Sequence, residues 1–236
     1  MKNISDTLHL VIFDIAGTTV QDHGFVERAF LSVSQKYGLG LDAKWIKPRM
    51  GVHKLAVMRE ALDECGAGVD ATPELLAKDF EDAIDLEVEI GAAPAIPGTP
   101  ELLEDIQSAG VRIAFTTGFS RKTAETVLRG AGIKYSVLVA SDEVTNGRPD
   151  PEIVYEAMRR SAVESVARVA VVGDTPSDLG SGMNAGAGMV IGIGHGTHAI
   201  EDLADHPHTH LAASNAALRE LFVKRMPLPE REKVDG

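Results

Sequence analysis

The feature that most constrains this fold is a series of five short apolar runs, each closed by a small or polar residue. Runs of this kind, which lack polar alternation, are typical of strands that are covered on both faces. The five predicted strands are residues 8–14, 111–117, 136–141, 166–174 and 188–193. The pattern therefore predicts a parallel sheet that is buried between helices.

A helical pattern precedes each of the last four of these runs. These patterns cover residues 100–109, 121–131, 151–162 and 179–185. Alternation of strands and helices is typical of β-α-β units with right-handed crossovers. We therefore predict an α/β fold, with one parallel sheet and helices on both of its faces.

One long stretch interrupts the alternation. Residues 21–97 contain no convincing strand, and their helical patterns cover 25–37, 52–65 and 73–90. The segment 91–98, rich in Gly, Ala and Pro, has the composition of a connection back to the sheet. We predict an all-helical cap at 21–97, inserted into a core made of 1–20 and 98–236.

Composition excludes several classes of protein. The 236 residues carry a net charge of −12, which argues against non-specific binding of nucleic acid. Cys65 is the only cysteine, so an internal disulfide is impossible and a reducing cytoplasm is expected. No apolar run approaches about 18 residues and the start lacks a signal-peptide pattern, so we expect neither a membrane span nor secretion. The polar tail 227–236 is expected to fray.

Carboxylates follow the first and fourth predicted strands. Asp14 ends the first strand before a Gly-Thr-Thr turn, and Asp174 and Asp178 belong to the segment GDTPSD after the fourth. Ligands of parallel sheets bind beyond the carboxyl ends of the strands, so these groups should converge. Facing carboxylates repel unless a cation separates them, and oxygen ligands suit Mg²⁺. The alternative is that Asp14 simply caps a turn.

Hydrogen-bond donors and a cation complete the predicted site. Thr116 and Thr117 close the second strand before Gly118, and Arg148 stands in the segment NGRPDP. In this order, the four motifs resemble those of the haloacid dehalogenase superfamily. Ala16, in place of the usual second Asp, and Arg148, in place of the usual Lys, are similar to its phosphonatase branch. The segment 50–54, Met-Gly-Val-His-Lys, matches the cap-lysine motif of that branch.

The resemblance implies a Rossmann-like core and a role for each matching residue. Asp14 would be the nucleophile that forms an aspartyl-phosphate, and Asp178 would support the metal. The Mg²⁺ ligands would be Asp14, the Ala16 carbonyl and Asp174. The groups that bind the phosphoryl oxygens would be Thr116, Thr117 and Arg148. Met50 and Gly51 would contact the substrate from the cap.

Lys54 is the candidate for imine chemistry. An imine with an aldehyde β to phosphorus makes the nitrogen an electron sink, so the carbon leaves as an enamine. The amine must then be partly neutral near pH 7. A place in the first turn of a helix that begins around Met50, together with burial, would lower its pKa. The alternative is an ordinary solvated lysine.

We predict Mg²⁺-dependent cleavage of a C–P bond in phosphonoacetaldehyde or a related small phosphonate. The alternative is a phosphatase of a small phosphate ester, in which the cap supplies the proton that Ala16 cannot; a non-enzymatic role is a third. Known phosphonatases carry polar groups at the positions of Gly24, Val57 and Phe119, so the exact substrate is open. A homodimer is left open too. The His-x-His-x-His tract 206–210 is expected to be an exposed loop after the last strand.

Overall fold

The computed structural model describes residues 7–65, 68–91 and 93–226, so the tail expected to fray lies outside the described residues. Its centre is a six-stranded sheet in the order β3-β2-β1-β4-β5-β6, and every neighbouring pair is parallel. The strands are β1 Leu10–Phe13, β2 Arg112–Thr116, β3 Val137–Val139, β4 Val169–Gly173, β5 Met189–Ile193 and β6 His210–Ala212. The predicted Rossmann-like parallel sheet is therefore confirmed.

The sixth strand was not predicted. We expected residues 206–210 to form a loop after the last strand. This prediction is wrong for His210, which begins β6 beside β5. The strand has only three residues and lies at the edge of the sheet, where it is only partly covered. Such a strand needs no continuous apolar run, so the pattern that identified the other five does not reveal it.

Four α-helices lie between β1 and the rest of the core, as the sequence predicted for a helical insertion. They are α1 Phe25–Tyr37, α2 Ala43–Ile46, α3 Lys54–Cys65 and α4 Pro73–Glu89, with a 3₁₀ turn at Lys47–Arg49. These helices pack on each other around Phe30 and Phe80, whose ring centroids are 4.7 Å apart. The four-residue helix α2 is too short for a periodic pattern and was not predicted.

The remaining helices cover both faces of the sheet. They are α5 Thr99–Ser108, α6 Arg121–Gly130, α7 Glu152–Arg160, α8 Pro176–Ala185, α9 Ile200–Ala204 and α10 Asn215–Val223. Alternate residues of β1 belong to two separate apolar clusters, Val11 and Phe13 to one and Leu10 and Ile12 to the other. Because side chains of a strand alternate between faces, the sheet is buried on both sides.

The two connections of the inserted helices run side by side next to the sheet. Gln21 donates its N–H to the Pro94 carbonyl at 2.8 Å, and Ile96 donates to the Thr19 carbonyl at 3.0 Å. The helices thus leave and rejoin the core at one place, beside the end of β1. Within the described residues, no helix has both the length and the apolar character needed to cross a bilayer.

Candidate active site

Three carboxylates meet at the ends of the two central strands. Phe13 in β1 pairs with Val172 in β4, so Asp14 and Asp174 emerge beside each other. Asp178 lies one turn further on, in α8. Ligand oxygens of the three side chains lie within 4.8 Å of one another, and all three residues are buried. The predicted convergence of these carboxylates is present.

Hydroxyl and backbone N–H groups donate hydrogen bonds to Asp174 and Asp178. Asp174 accepts from the Thr18 hydroxyl at 2.9 Å and from the Thr197 N–H at 2.6 Å. Asp178 accepts from the Thr175 N–H at 3.1 Å and forms a reciprocal cap with Thr175 at the start of α8. A Cβ at Gly17 would collide with the Asp174 carboxylate, so this turn needs glycine.

Arg148 joins two of the carboxylates from the other side. Its Nη2 donates to Asp14 Oδ1 at 2.7 Å, and its Nη1 forms an ion pair with Asp178. The residue is buried, and it precedes Pro149 in the loop that leads to α7. A planar guanidinium with several donors suits this position between two anions.

Burial of the three ionised carboxylates is unfavourable unless more positive charge is present. It raises the pKa of Asp14 although Arg148 acts in the opposite direction. Burial and the neighbouring charge of Asp14 raise the pKa of Asp174 to about 7. One guanidinium therefore does not compensate three buried carboxylates. A hard divalent cation fits this donor set, since it prefers oxygen ligands and favours their ionised forms.

Lys54 is buried in an aromatic cage. The side chain is 7 % exposed, and its Nζ donates to the Val52 carbonyl at 3.0 Å. The ring centroids of Phe30, Phe119 and Phe80 lie 5.5, 5.6 and 5.9 Å from Nζ. The alternative of a solvated lysine is therefore wrong for Lys54.

Burial and the nearby charge of Arg148 lower the pKa of Lys54 to about 7, against the opposing charges of Asp14 and Asp22. The predicted direction is thus present, and Lys54 lies in the first turn of its helix as expected, but the predicted start of that helix was wrong. The helix α3 begins at Lys54 itself and not around Met50. The leading cause is removal from water, which disfavours the charged amine.

A pocket lies between the inserted helices and the sheet. It holds roughly 310 Å³ that protein atoms do not fill, part of it open to solvent. The residues that line it are Asp14, Ala16, Asp22, Val26, Met50, Gly51, Lys54, Thr117, Gly118, Phe119, Thr175 and Thr197. A Cβ at Gly118 would lie 2.6 Å from the Gly51 and Val52 carbonyl oxygens, so core and inserted backbone are in close contact here.

Most predicted site residues meet at this pocket. The pocket is not lined by Arg148, Asp174 or Asp178. The two aspartates cluster with Asp14, which does line it, and Arg148 forms an ion pair with Asp14. Thr116 is buried at the end of β2 and also does not line the pocket, so its role stays a prediction. The tract 206–210 does not belong to a cluster of three or more potential metal ligands, since the aspartate cluster is the one such group within the described ranges.

Sequence reasoning missed Asp22, which lines the pocket just before α1. The available signal was its position, as the first carboxylate after the turn that follows Asp14. Phe119, where a polar group was expected from the resemblance, also lines the pocket and faces Lys54. Gly24 and Val57 do not line it.

Comparison with known proteins gives one family and several relatives. The family model described as haloacid dehalogenase-like hydrolase matches residues 8–186. A phosphonoacetaldehyde hydrolase from Bacillus cereus is 31% identical over 204 residues, which cover 78% of this chain and 76% of that protein.

Two solved structures share the fold. A phosphonoacetaldehyde hydrolase-like protein from Oleispira antarctica superposes with a TM-score of 0.81 at 20% identity, covering 94% of this chain and 95% of that one. A predicted phosphoglycolate phosphatase from Haemophilus somnus gives 0.75 at 17% identity, with 91% and 97% covered. At these identities, the likeness concerns the fold alone.

Proposed function

Because the chain belongs to the haloacid dehalogenase-like hydrolase family, in the branch of its phosphonoacetaldehyde hydrolase relatives, we propose that it cleaves the C–P bond of phosphonoacetaldehyde or a related small phosphonate. The observation that carries the proposal is the pairing of Asp14 with Lys54 in one pocket. Lys54 is buried and its pKa is lowered to about 7, as an imine-forming amine requires.

The inserted helices would act as a cap over the site. In this proposal residues 21–97 form the cap, and 1–20 with 98–236 form the hydrolase core. The support is the paired connections near Val20 and Ala95, together with the close contact of Gly51 with Gly118. Met50 and Gly51 would contact the substrate from the cap side of the pocket.

Asp14 would attack phosphorus and form the aspartyl-phosphate. It is buried and lines the pocket, and Arg148 orients it through the hydrogen bond to Oδ1. Arg148, Thr116 and Thr117 would hold the phosphoryl oxygens, and Thr117 already lines the pocket. Water then hydrolyses the aspartyl-phosphate and restores the carboxylate.

Mg²⁺ would be held by Asp14, the Ala16 carbonyl and Asp174, and Asp178 would orient the cluster. When bound, the ion offsets the repulsion between an anionic nucleophile and an anionic phosphoryl group. The raised pKa of both Asp14 and Asp174 supports the need for this extra cation.

Lys54 would make the carbon a leaving group. Its neutral amine adds to the aldehyde carbon, and the hydroxyl of the adduct takes up a proton and leaves as water, which gives an iminium. As Asp14 forms its bond to phosphorus, the electrons of the C–P bond pass into the iminium to give an enamine. The enamine then takes up a proton at carbon, and hydrolysis of the resulting imine releases acetaldehyde and free Lys54.

The residue at position 16 supports this route over ester hydrolysis. Ala16 lines the pocket but has no group that can protonate a leaving alkoxide. An enamine needs no proton from that position. The alternative, a phosphatase of a small phosphate ester, would have to obtain its proton from the cap side.

The deciding experiment measures aldehyde and phosphate release in parallel. Phosphonoacetaldehyde and a panel of small phosphate esters are the substrates, and acetaldehyde is followed with alcohol dehydrogenase and NADH. We expect faster turnover of a phosphonate than of any ester. Because Gly24, Val57 and Phe119 lack polar groups, we expect kcat/KM on phosphonoacetaldehyde below about 10⁵ M⁻¹s⁻¹. Ester hydrolysis without aldehyde release would establish the phosphatase instead.

The partners and location follow from the same proposal. The substrate is a small anion, and the net charge of −12 argues against a nucleic acid. A single cysteine suits a reducing cytoplasm.

Removal of divalent metal is expected to abolish turnover reversibly. Without the metal, the site has three buried carboxylates and one guanidinium. Its excess negative charge would repel a phosphonate dianion. Activity should disappear after dialysis against EDTA and return with added MgCl₂, as measured by phosphate release. Full turnover in metal-free buffer would contradict the proposed metal site.

Imine formation should depend on pH through Lys54. Its pKa of about 7 lies far below the usual 10.5, so the reactive neutral amine is the major form above neutrality. Below that pKa, the rate of imine trapping should fall about tenfold for each pH unit. Above it, the rate should not rise further, because the amine is already neutral. A rate that still rises tenfold per unit beyond about pH 9 would show an ordinary lysine pKa.

A further inference from the structure

We propose that Asp22 is the group that transfers protons during formation and hydrolysis of the Lys54 imine, in contact with the oxygen that leaves as water. This inference rests on the proposed function and adds a catalytic residue to it. Asp22 is absent from every motif that identified the site.

Position is the first support. Asp22 lies between the turn after β1 and the start of α1, and its side chain lines the same pocket as Asp14 and Lys54. These three are the only titratable side chains that line the pocket in the described part of the chain. Asp14 is committed to phosphorus and Lys54 to carbon, which leaves Asp22 for the oxygen.

Chemical need is the second support. After the amine adds to the aldehyde, a proton must move from nitrogen to oxygen, and the resulting hydroxyl needs a second proton to leave as water. Ala16 cannot supply either proton. The Thr175 hydroxyl also lines the pocket, but it already donates its hydrogen bond to Asp178 at 2.6 Å.

Asp22 can perform both transfers with balanced protons. As a carboxylate it takes the proton from the cationic nitrogen of the adduct and delivers it to the oxygen. After it takes up a proton from solvent, it donates this proton to the hydroxyl as the C–O bond breaks. Water leaves, the iminium carries the positive charge, and Asp22 is again a carboxylate.

The electrostatic surroundings suit this role. Burial raises the pKa of Asp22 above its usual range, which brings the acid closer to neutral pH. Its charge also acts on Lys54, whose pKa it raises against the larger effects of burial and Arg148. The carboxyl group and the amine line one pocket and interact electrostatically.

The competing role for Asp22 is structural. Its Oδ1 accepts the Val26 N–H at 3.2 Å at the start of α1. An Asn or Ser side chain can accept the same hydrogen bond but cannot transfer a proton at neutral pH. The variants Asp22→Asn and Asp22→Ser therefore separate the two roles.

The experiment follows the Lys54 adduct by rapid quenching with borohydride and mass spectrometry, on full-length protein loaded with Mg²⁺. Asp22→Asn and Asp22→Ser should form the adduct roughly 10²- to 10⁴-fold more slowly than the wild type. Added formate should restore part of the rate in Asp22→Ser. The control is Asp42→Asn, the same change at an exposed helix cap that accepts from Trp45 and does not line the pocket.

The outcomes distinguish the two proposals. Slow trapping in both variants, with an unchanged melting temperature and recovery in formate, supports Asp22 as the proton-transfer group. Wild-type trapping rates in both variants would overturn this inference and leave the Lys54 chemistry standing. Slow trapping with a lower melting temperature and no formate recovery would make Asp22 a structural residue. Failure of the wild type to form any adduct would overturn the proposed function as well.

Discussion

Replacement of Asp14 by Asn is expected to reduce turnover by roughly 10⁴- to 10⁶-fold, as loss of a covalent nucleophile does in other enzymes. The change removes the group that bonds to phosphorus and one of three clustered carboxylates. Phosphate release under saturating substrate gives the measurement.

The folded structure should tolerate Asp14→Asn. Burial raises the pKa of Asp14, so the native carboxylate is held ionised at a cost that the amide avoids. The Asn oxygen can still accept from Arg148 Nη2. We therefore expect the melting temperature not to fall, and Asp42→Asn serves as the matched control with normal turnover. An Asp14→Asn protein with more than about a hundredth of wild-type turnover would rule out Asp14 as nucleophile.

Replacement of Lys54 by Arg is expected to remove C–P cleavage, by on the order of 10⁴-fold. Guanidinium stays protonated in the aromatic cage, where the native amine is partly neutral, so it cannot form an imine at neutral pH. Any ester hydrolysis should fall far less, because it depends on Asp14 and the metal. The loss of C–P cleavage is measured by acetaldehyde release, and the loss of ester hydrolysis by phosphate release. Both are measured on the same preparations.

Borohydride gives the direct readout for Lys54. When borohydride is added with the aldehyde substrate, it should reduce the imine to a stable amine and inactivate the wild type. The adduct should then be found on the peptide that contains Lys54. Lys78→Arg, at an exposed position of α4, is the control and should be inactivated like the wild type. Because Arg is larger than Lys, Lys54→Met provides a second variant that should also lose the adduct. If Lys54→Arg retains cleavage and borohydride has no effect, the phosphatase alternative replaces the C–P proposal.

The core of the fold could be predicted because its signals are local. Each strand from β1 to β5 is a short apolar run, and a buried parallel strand requires little more than that. The meeting of Asp14 with Asp174 followed from the same pattern, since the carboxyl ends of parallel strands share one edge. The order of the four motifs then indicated the family, and Ala16, Lys54 and Arg148 indicated its phosphonatase branch.

The elements that escaped prediction are those with weak local signals. The helix α2 has four residues and the strand β6 three, so neither shows a full period of its pattern. The start of α3 was placed too early, at residue 52 in the helical pattern and around Met50 in the argument for Lys54, because the segment 50–53 has no proline and only one glycine. In the structure that segment instead lies against Thr175 and Gly118 of the core.

By itself, the sequence determined five of the six strands, the insertion of helices after β1 and the meeting of the carboxylates, because these follow from local patterns and from the edge at which parallel strands end together. Only the tertiary structure decided that Lys54 is buried and has a lowered pKa. Its cage combines Phe30 and Phe80 from the inserted helices with Phe119 from the core, up to 89 residues apart. The same packing brings Asp22 into the pocket. A lowered pKa reflects loss of water around a group, and that loss occurs only when distant segments pack together.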